Sequence, residues 1–222
     1  MLIIDAWLRL SDAYHQHMDG RCINEFIMPQ GVDQALQLVA RRTSCSKVLM
    51  ECSIHLPYSP VGPSGKAEAT ANALLPFVTP LTDVDIQTLT ISAAKQLSLF
   101  ELALDICRTI YKVALVPLIV QFRHDLVHEG GNQIMMNLVA ATRFARFLGF
   151  GEGDITVYGC SVGAYQYQVY SATLDPFNGE SIIIKRYDRR PLTSFCDFVR
   201  LYVLLAEISD RIFDHLDGRT VD

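Results

Sequence analysis

An α/β layered sandwich with a mostly parallel mixed sheet is the fold class this sequence predicts. Three observations predict it. Lys112 to Leu174 reads as an apolar strand, a polar glycine loop, an amphipathic helix, a second strand, a tight turn and a further helix, the order of a βαβ unit. Strand-like and helix-like segments alternate over most of the remaining chain, which favours parallel pairing. The 222 residues, half of them hydrophobic, are enough for one domain with a sizeable core. A single domain over 1–222 is therefore expected, with residues 1–45 as a helical segment packed on it.

Residues 2–18 carry Ile3, Trp7, Leu10 and Tyr14 on one helical stripe, and Gly20 would end that helix. VDQALQLVARR (32–42) reads as a short helix and KVLMECSIHL (47–56) as a strand. Five of the nine prolines fall between Pro57 and Pro80, so 57–80 reads as an extended or looping Pro/Gly-rich segment with room for a helix at KAEATANALL. DIQTLTI (85–91) is a strand rich in Ile and Thr, and Ser98 to Tyr111 a helix. ALVPLIVQF is a strand, because Pro117 opposes a helix; that proline suggests an edge, a bulge or an interface. A helix at 133–148 and the strand ITVY follow. After a turn at Gly159–Gly163 a helix is expected to about Leu174. Asp175-Pro176 and Asn178-Gly179 make a turn, 181–187 a strand, and Leu192 to Leu216 a final helix apolar on more than one side.

Composition narrows the function classes. A net charge of −5 opposes broad, charge-driven nucleic-acid binding. No apolar run reaches transmembrane length, and the acidic N-terminus is unlike a signal peptide. Cys22, Cys45, Cys52, Cys107, Cys160 and Cys196 form no CxxC pair and sit largely in apolar runs, so reduced thiols and a cytoplasmic location are expected. His15 and His17 point to different sides of a helix, and no P-loop or complete dinucleotide fingerprint occurs. No metal and no cofactor is expected. Lys185, Arg186, Arg189 and Arg190 form a small basic patch, either a solvated turn or a meeting point for an acidic partner.

Gly159-Cys160-Ser161-Val162-Gly163 is a G-x-S-x-G after a strand, and ITVYGCSVGAYQ resembles the nucleophile elbow of α/β-hydrolases. That resemblance implies a catalytic Ser161. The partners it requires are poorly supplied: only His215 follows, in a helix, and Asp188 ends the one remaining strand. The alternative is a glycine turn with Ser161 capping a helix. Arg123 and His128, in FRHDLVHEGG, resemble the Arg-x4-His motif of HEPN ribonucleases, although the flanking strands differ from that all-helical family.

The longest resemblance covers 46 to about 190 and is to the N-terminal half of thiolase-superfamily proteins, nearest the type III ketoacyl-acyl-carrier-protein synthases. SKVLMECSIHLPYSPV is similar to the first strand and its exit, LTDVDIQTLTIS to the next strand, and LVPLIVQF to the strand that pairs across the dimer. HEGGNQIMMNLVAATRFARFL is similar to the nucleophile loop and its buried helix. This resemblance implies a homodimer or a heterodimer with a related subunit, and acyl carrier protein or acyl-CoA as partner. His128 stands near the place of the catalytic cysteine, with Glu129, Gly130, Gly131 and Asn132 as substrate-binding residues. No cysteine lies between Cys107 and Cys160, and a thiolate is what accepts the acyl group in that chemistry. The reading is thus a ketosynthase-like subunit or accessory of fatty-acid or polyketide-type acyl-chain biosynthesis, without its own condensing nucleophile. The alternatives are a serine esterase or thioesterase using Ser161, and a non-enzymatic interaction protein whose apolar surface is covered by its partner.

Overall fold

The computed structural model describes residues 2–18, 31–42, 48–55, 68–80, 112–122, 130–147, 156–163, 165–178 and 181–217. The expected strand at 85–91 and helix at 98–111 lie outside these residues.

The described elements run α1 (Ile3–Met18), α2 (Val32–Arg42), β1 (Leu49–His55), β2 (Glu68–Pro80), β3 (Lys112–Phe122), α3 (Gly130–Phe147), β4 (Val157–Val162), β5 (Gln166–Leu174), β6 (Ile182–Arg186), β7 (Arg190–Pro191) and α4 (Phe195–Asp217). All seven strands form one sheet in the order β1-β2-β3-β4-β5-β6, with β7 also on β5. The chain is therefore mixed α/β, as expected, but the sheet is mostly antiparallel. Among the described strands only β3 and β4 run parallel. The expected mostly parallel sheet fails because β4, β5 and β6 follow one another as antiparallel neighbours across short connections, with no crossover helix between them; α3 is the one described helix between two paired strands.

Two expectations about single elements are corrected. From Glu68 on, KAEATANALL is not helical but part of a long strand, β2 (Glu68–Pro80). The predicted helix up to Leu174 is β5, joined to β4 by a tight turn in which the Gly163 amide donates to the Gln166 carbonyl at 2.9 Å. The turn at Asp175-Pro176 forms as expected, with the Phe177 amide donating to Asp175 Oδ1 at 2.9 Å.

Strand alternation separates two cores. Leu74, Ile119, Val157, Tyr170 and Ala172 meet Ile134, Leu138 and Ala141 of α3 on one face. Leu75, Leu118, Val120, Cys160, Val162 and Val169 meet α1, α2 and α4 on the other. The breadth of apolar surface on α4 is absorbed here: Phe198, Leu201 and Leu205 are buried among the sheet and the two N-terminal helices. Its first turn is held by a reciprocal cap in which Ser194 Oγ donates to Asp197 Oδ2 at 2.7 Å and the Asp197 amide donates back to Ser194 Oγ at 3.2 Å. That bond from Ser194, with backbone donors from Thr193 and Ser194 and the Arg200 guanidinium, holds the Asp197 carboxyl below its usual range. Trp7 of α1 stacks on Phe195 and Phe198 at 6.2 and 5.8 Å.

β3 is an interior strand, bonded to β2 on one side and β4 on the other. Of the three positions Pro117 suggested, the structure places it at a bulge. The β2–β3 register shifts between Leu75 and Phe77, opposite Val116-Pro117, so Pro76 and Pro117 face the same gap in the ladder. Two residues without an N–H meet where no ladder bond is required. Over Leu118–Val120 both edges of β3 are therefore occupied, by β2 and by β4.

Burial pushes the Asp33 carboxyl, in the first turn of α2, up from 3.8 to about 6, against the opposing pulls of the Gln34 amide and Arg9. The fold thus prefers the protonated acid. Stability from this group is fully present below about pH 4 and is lost as pH rises through about 6. Asp33→Asn removes that loss. Its Tm should exceed that of the parent at pH 8 and match it at pH 3.5; equal Tm values at both pH values would count against the assignment.

Candidate functional site

β3 and β4 finish together, with Phe122 opposite Val162. α3 must carry the chain back along the sheet to start the parallel strand, so its first turn lies at that same end. Ile134 and Leu138 of α3 press on Gly159. A Cβ there would stand 2.9 Å from Ile134 Cγ1 and 3.3 Å from Leu138 Cδ1, so Gly159 is the glycine that lets this helix approach the sheet.

Beyond Gly159, on the face that α3 covers, a row of polar side chains crosses four adjacent strands. Ser161 pairs in register with Gln121 of β3 and Gln168 of β5. Gln121 Nε2 donates to Asn72 Oδ1 of β2 at 2.6 Å, and the Phe122 amide donates to the same oxygen at 2.8 Å. Gln168 Nε2 donates to the Tyr187 carbonyl at 2.7 Å, and the Tyr170 hydroxyl donates to Gln168 Oε1 at 3.0 Å. Gln121, Ser161 and Gln168 are all buried. Gln121 Oε1 and Ser161 Oγ nevertheless find no hydrogen-bond partner among the described residues. A buried polar atom left this way costs about 1–3 kcal/mol. Asn72, Gln121 and Gln168 were not expected from sequence as site residues. Their signal is an amide at an alternate position of an otherwise apolar strand, as in VPLIVQF.

The expected site residues divide around this row. Gly130 and Gly131 open α3, and Asn132 is exposed in its first turn, which carries no acidic residue. They share one end of the sheet with Ser161. Arg123, His128 and Glu129 lie outside the described residues. Ser161 is inside β4, 1% exposed, with β5 rather than a helix after it. The expected elbow is thus replaced by a strand and hairpin. Asp188, the acid a hydrolase would use, lines a cavity on the opposite face of the sheet.

If Ser161 is only a buried unsatisfied hydroxyl, Ser161→Ala removes a destabilising group. Its Tm should equal or exceed that of the parent, and a fluorophosphonate probe should label neither protein. Labelling of the parent that the alanine variant abolishes would restore the nucleophile reading.

Cys160, next to Ser161 but facing α4, is no substitute. Full burial pushes its thiol up to about 12, so no thiolate forms near neutrality. Cys196, at the start of α4, is exposed. In the native protein Cys196 should react with a thiol reagent within minutes, and Cys160 only after denaturation; peptide mapping of the labelled sites checks this. Among the described residues no group of histidine, cysteine and carboxylate side chains is arranged to hold a metal ion, and no helix is long and apolar enough to cross a membrane.

No protein-family model matches the chain, and no curated protein matches it by sequence.

Proposed function

We propose that this protein handles acyl groups carried on coenzyme A or on an acyl carrier protein, as an acyltransferase-like subunit or accessory without its own condensing cysteine. The site is the end of the β3/β4 pair beneath the first turn of α3. The observation that carries the reading is the polar row there, Asn72-Gln121-Ser161-Gln168, with two buried oxygens still lacking partners. Such atoms offer a donor and an acceptor to the amides of a pantetheine arm. The first turn of α3, which carries no acidic side chain, suits its phosphate. The resemblance of 46–190 to ketosynthase-like chains supplies the acyl class, and the raised Cys160 thiol agrees with the lack of a condensing nucleophile.

Calorimetric titration of the full chain with octanoyl-CoA, and with an octanoylated carrier protein, tests the reading. Saturable binding of either is expected, weakened about tenfold or more by Gln121→Leu, which removes both an acceptor and a donor from the row. Failure of both acyl donors to bind would remove the proposal.

A further inference from the structure

On the opposite face of the sheet from the polar row, α4 does not close down completely on β4 and β5. A cavity of about 430 Å³ remains. Its floor is Val169, Leu204 and Ile208. Its walls are the rings of Tyr158, Tyr167 and Tyr187. Asp188 reaches it from the linker between β6 and β7, Arg190 from β7, and Arg211 and Glu207 from α4.

The linker has this shape for a reason visible in the ladder. Tyr170 pairs with Arg186 and Tyr167 with Arg190, so the edge strand carries one more residue than β5 between these two pairs. The extra length bulges at 187–189, fixed by the Tyr187 amide donating to the Val169 carbonyl at 3.0 Å. A bulge re-aims side chains at a sheet edge. The Tyr187 hydroxyl turns over the sheet to Ser171 Oγ, 3.3 Å away.

The four charged groups at the rim make no ion pair with one another among the described residues, although Glu207 and Arg211 are one helical turn apart. Arg190 comes from the sheet edge and Arg211 from α4, and each acts on a lining tyrosine. Arg211 opposes the upward push of burial on the Tyr158 hydroxyl, and Arg190 does so on Tyr167. The lining therefore holds two cations and two anions of zero net charge above an apolar, aromatic floor.

Each simple ligand class meets an obstacle here. A plain anion would lie against Asp188 and Glu207. A plain cation would lie against both arginines. A neutral apolar body would leave all four charges without a partner in the ligand. A zwitterion with a compact apolar body satisfies all four, and its ring would meet the tyrosine faces and its carboxylate the guanidinium forks. We infer that this cavity is a binding site for a small zwitterion of the aromatic amino-acid type, its carboxylate between Arg190 and Arg211 and its ammonium toward Glu207 and Asp188. The site is separate from the polar row, and its ligand does not depend on the acyl-group reading.

Calorimetric titration of the full chain with three probes tests this. L-phenylalanine carries both charges, N-acetyl-L-phenylalanine only the anion, and L-phenylalaninamide only the cation. Saturable binding of phenylalanine is expected, with both blocked forms at least about tenfold weaker. Arg211→Gln should abolish the preference over phenylalaninamide, and Glu207→Gln the preference over N-acetylphenylalanine. Both residues are exposed, so their variants should fold, as circular dichroism verifies. Val169→Trp, which fills the floor, should abolish binding of all three. Equal binding of the three probes, binding unaffected by Val169→Trp, or no phenylalanine binding at millimolar concentration would each overturn the proposal.

Discussion

Aspartate in place of Leu118 will unfold the chain. Leu118 is fully buried in β3, its backbone paired to Leu75 on one side and Tyr158 on the other, and its side chain in the core beneath α4. An ionised carboxylate there has no partner and no water. The fold must expel the strand or bind a proton to avoid the cost, and such substitutions exceed about 4 kcal/mol. Circular dichroism should show loss of cooperative thermal unfolding, and scattering should show aggregation or an expanded chain. Had β3 been an edge or dimer strand, as its Pro117 and apolar run allowed, the same substitution would have yielded a folded monomer. A compact, native-like Leu118→Asp protein would therefore contradict the sheet order.

Gly31→Ala is the second large effect. A Cβ at Gly31 would stand 2.5 Å from the Ala6 carbonyl oxygen and 2.6 Å from Leu10 Cβ. Backbone cannot rotate away as a side chain can, so α1 must retreat from the start of α2. The loss of packing should cost about 3 kcal/mol. Trp7 reports the retreat directly, because it rests on Phe195 and Phe198 of α4. Its emission should shift to the red in the native baseline, together with a lower urea midpoint. An unshifted emission and an unchanged midpoint would mean that the two helices are not in close contact at this point.

The legible parts of the sequence were those with one strong local signal. The stripe in residues 2–18 and the pattern of 32–42 gave α1 and α2, and KVALVPLIVQF gave β3, because these patterns are local and agree with their burial. β5 was misread although its own alternation was present: Tyr167 and Val169 face one core, Tyr170 and Ala172 the other. The expectation of a helix after each strand overrode that period-two pattern and its β-branched and aromatic content. The same expectation turned Gly159 into a turn residue. Its reason lies at long range, in Ile134 and Leu138 of α3, and no local pattern reveals it. The polar row was invisible for a related reason. Asn72, Gln121, Ser161 and Gln168 are far apart in sequence, and only strand order and register bring them side by side.

The core beneath α4 joins the first described helix to the last: Ala6 and Leu10 share it with Leu205 and Ile212. During synthesis on the ribosome α1 and α2 emerge before the sheet, and their apolar faces have no α4 to rest on until all seven described strands have been made. β4, β5 and β6 can zip up as successive hairpins as they appear, since their contacts are close in sequence. The early helices must wait, with Trp7 uncovered. A nascent chain stopped before Phe195 should therefore hold an exposed, chaperone-accessible N-terminal segment, and release of α4 should be the step that buries it.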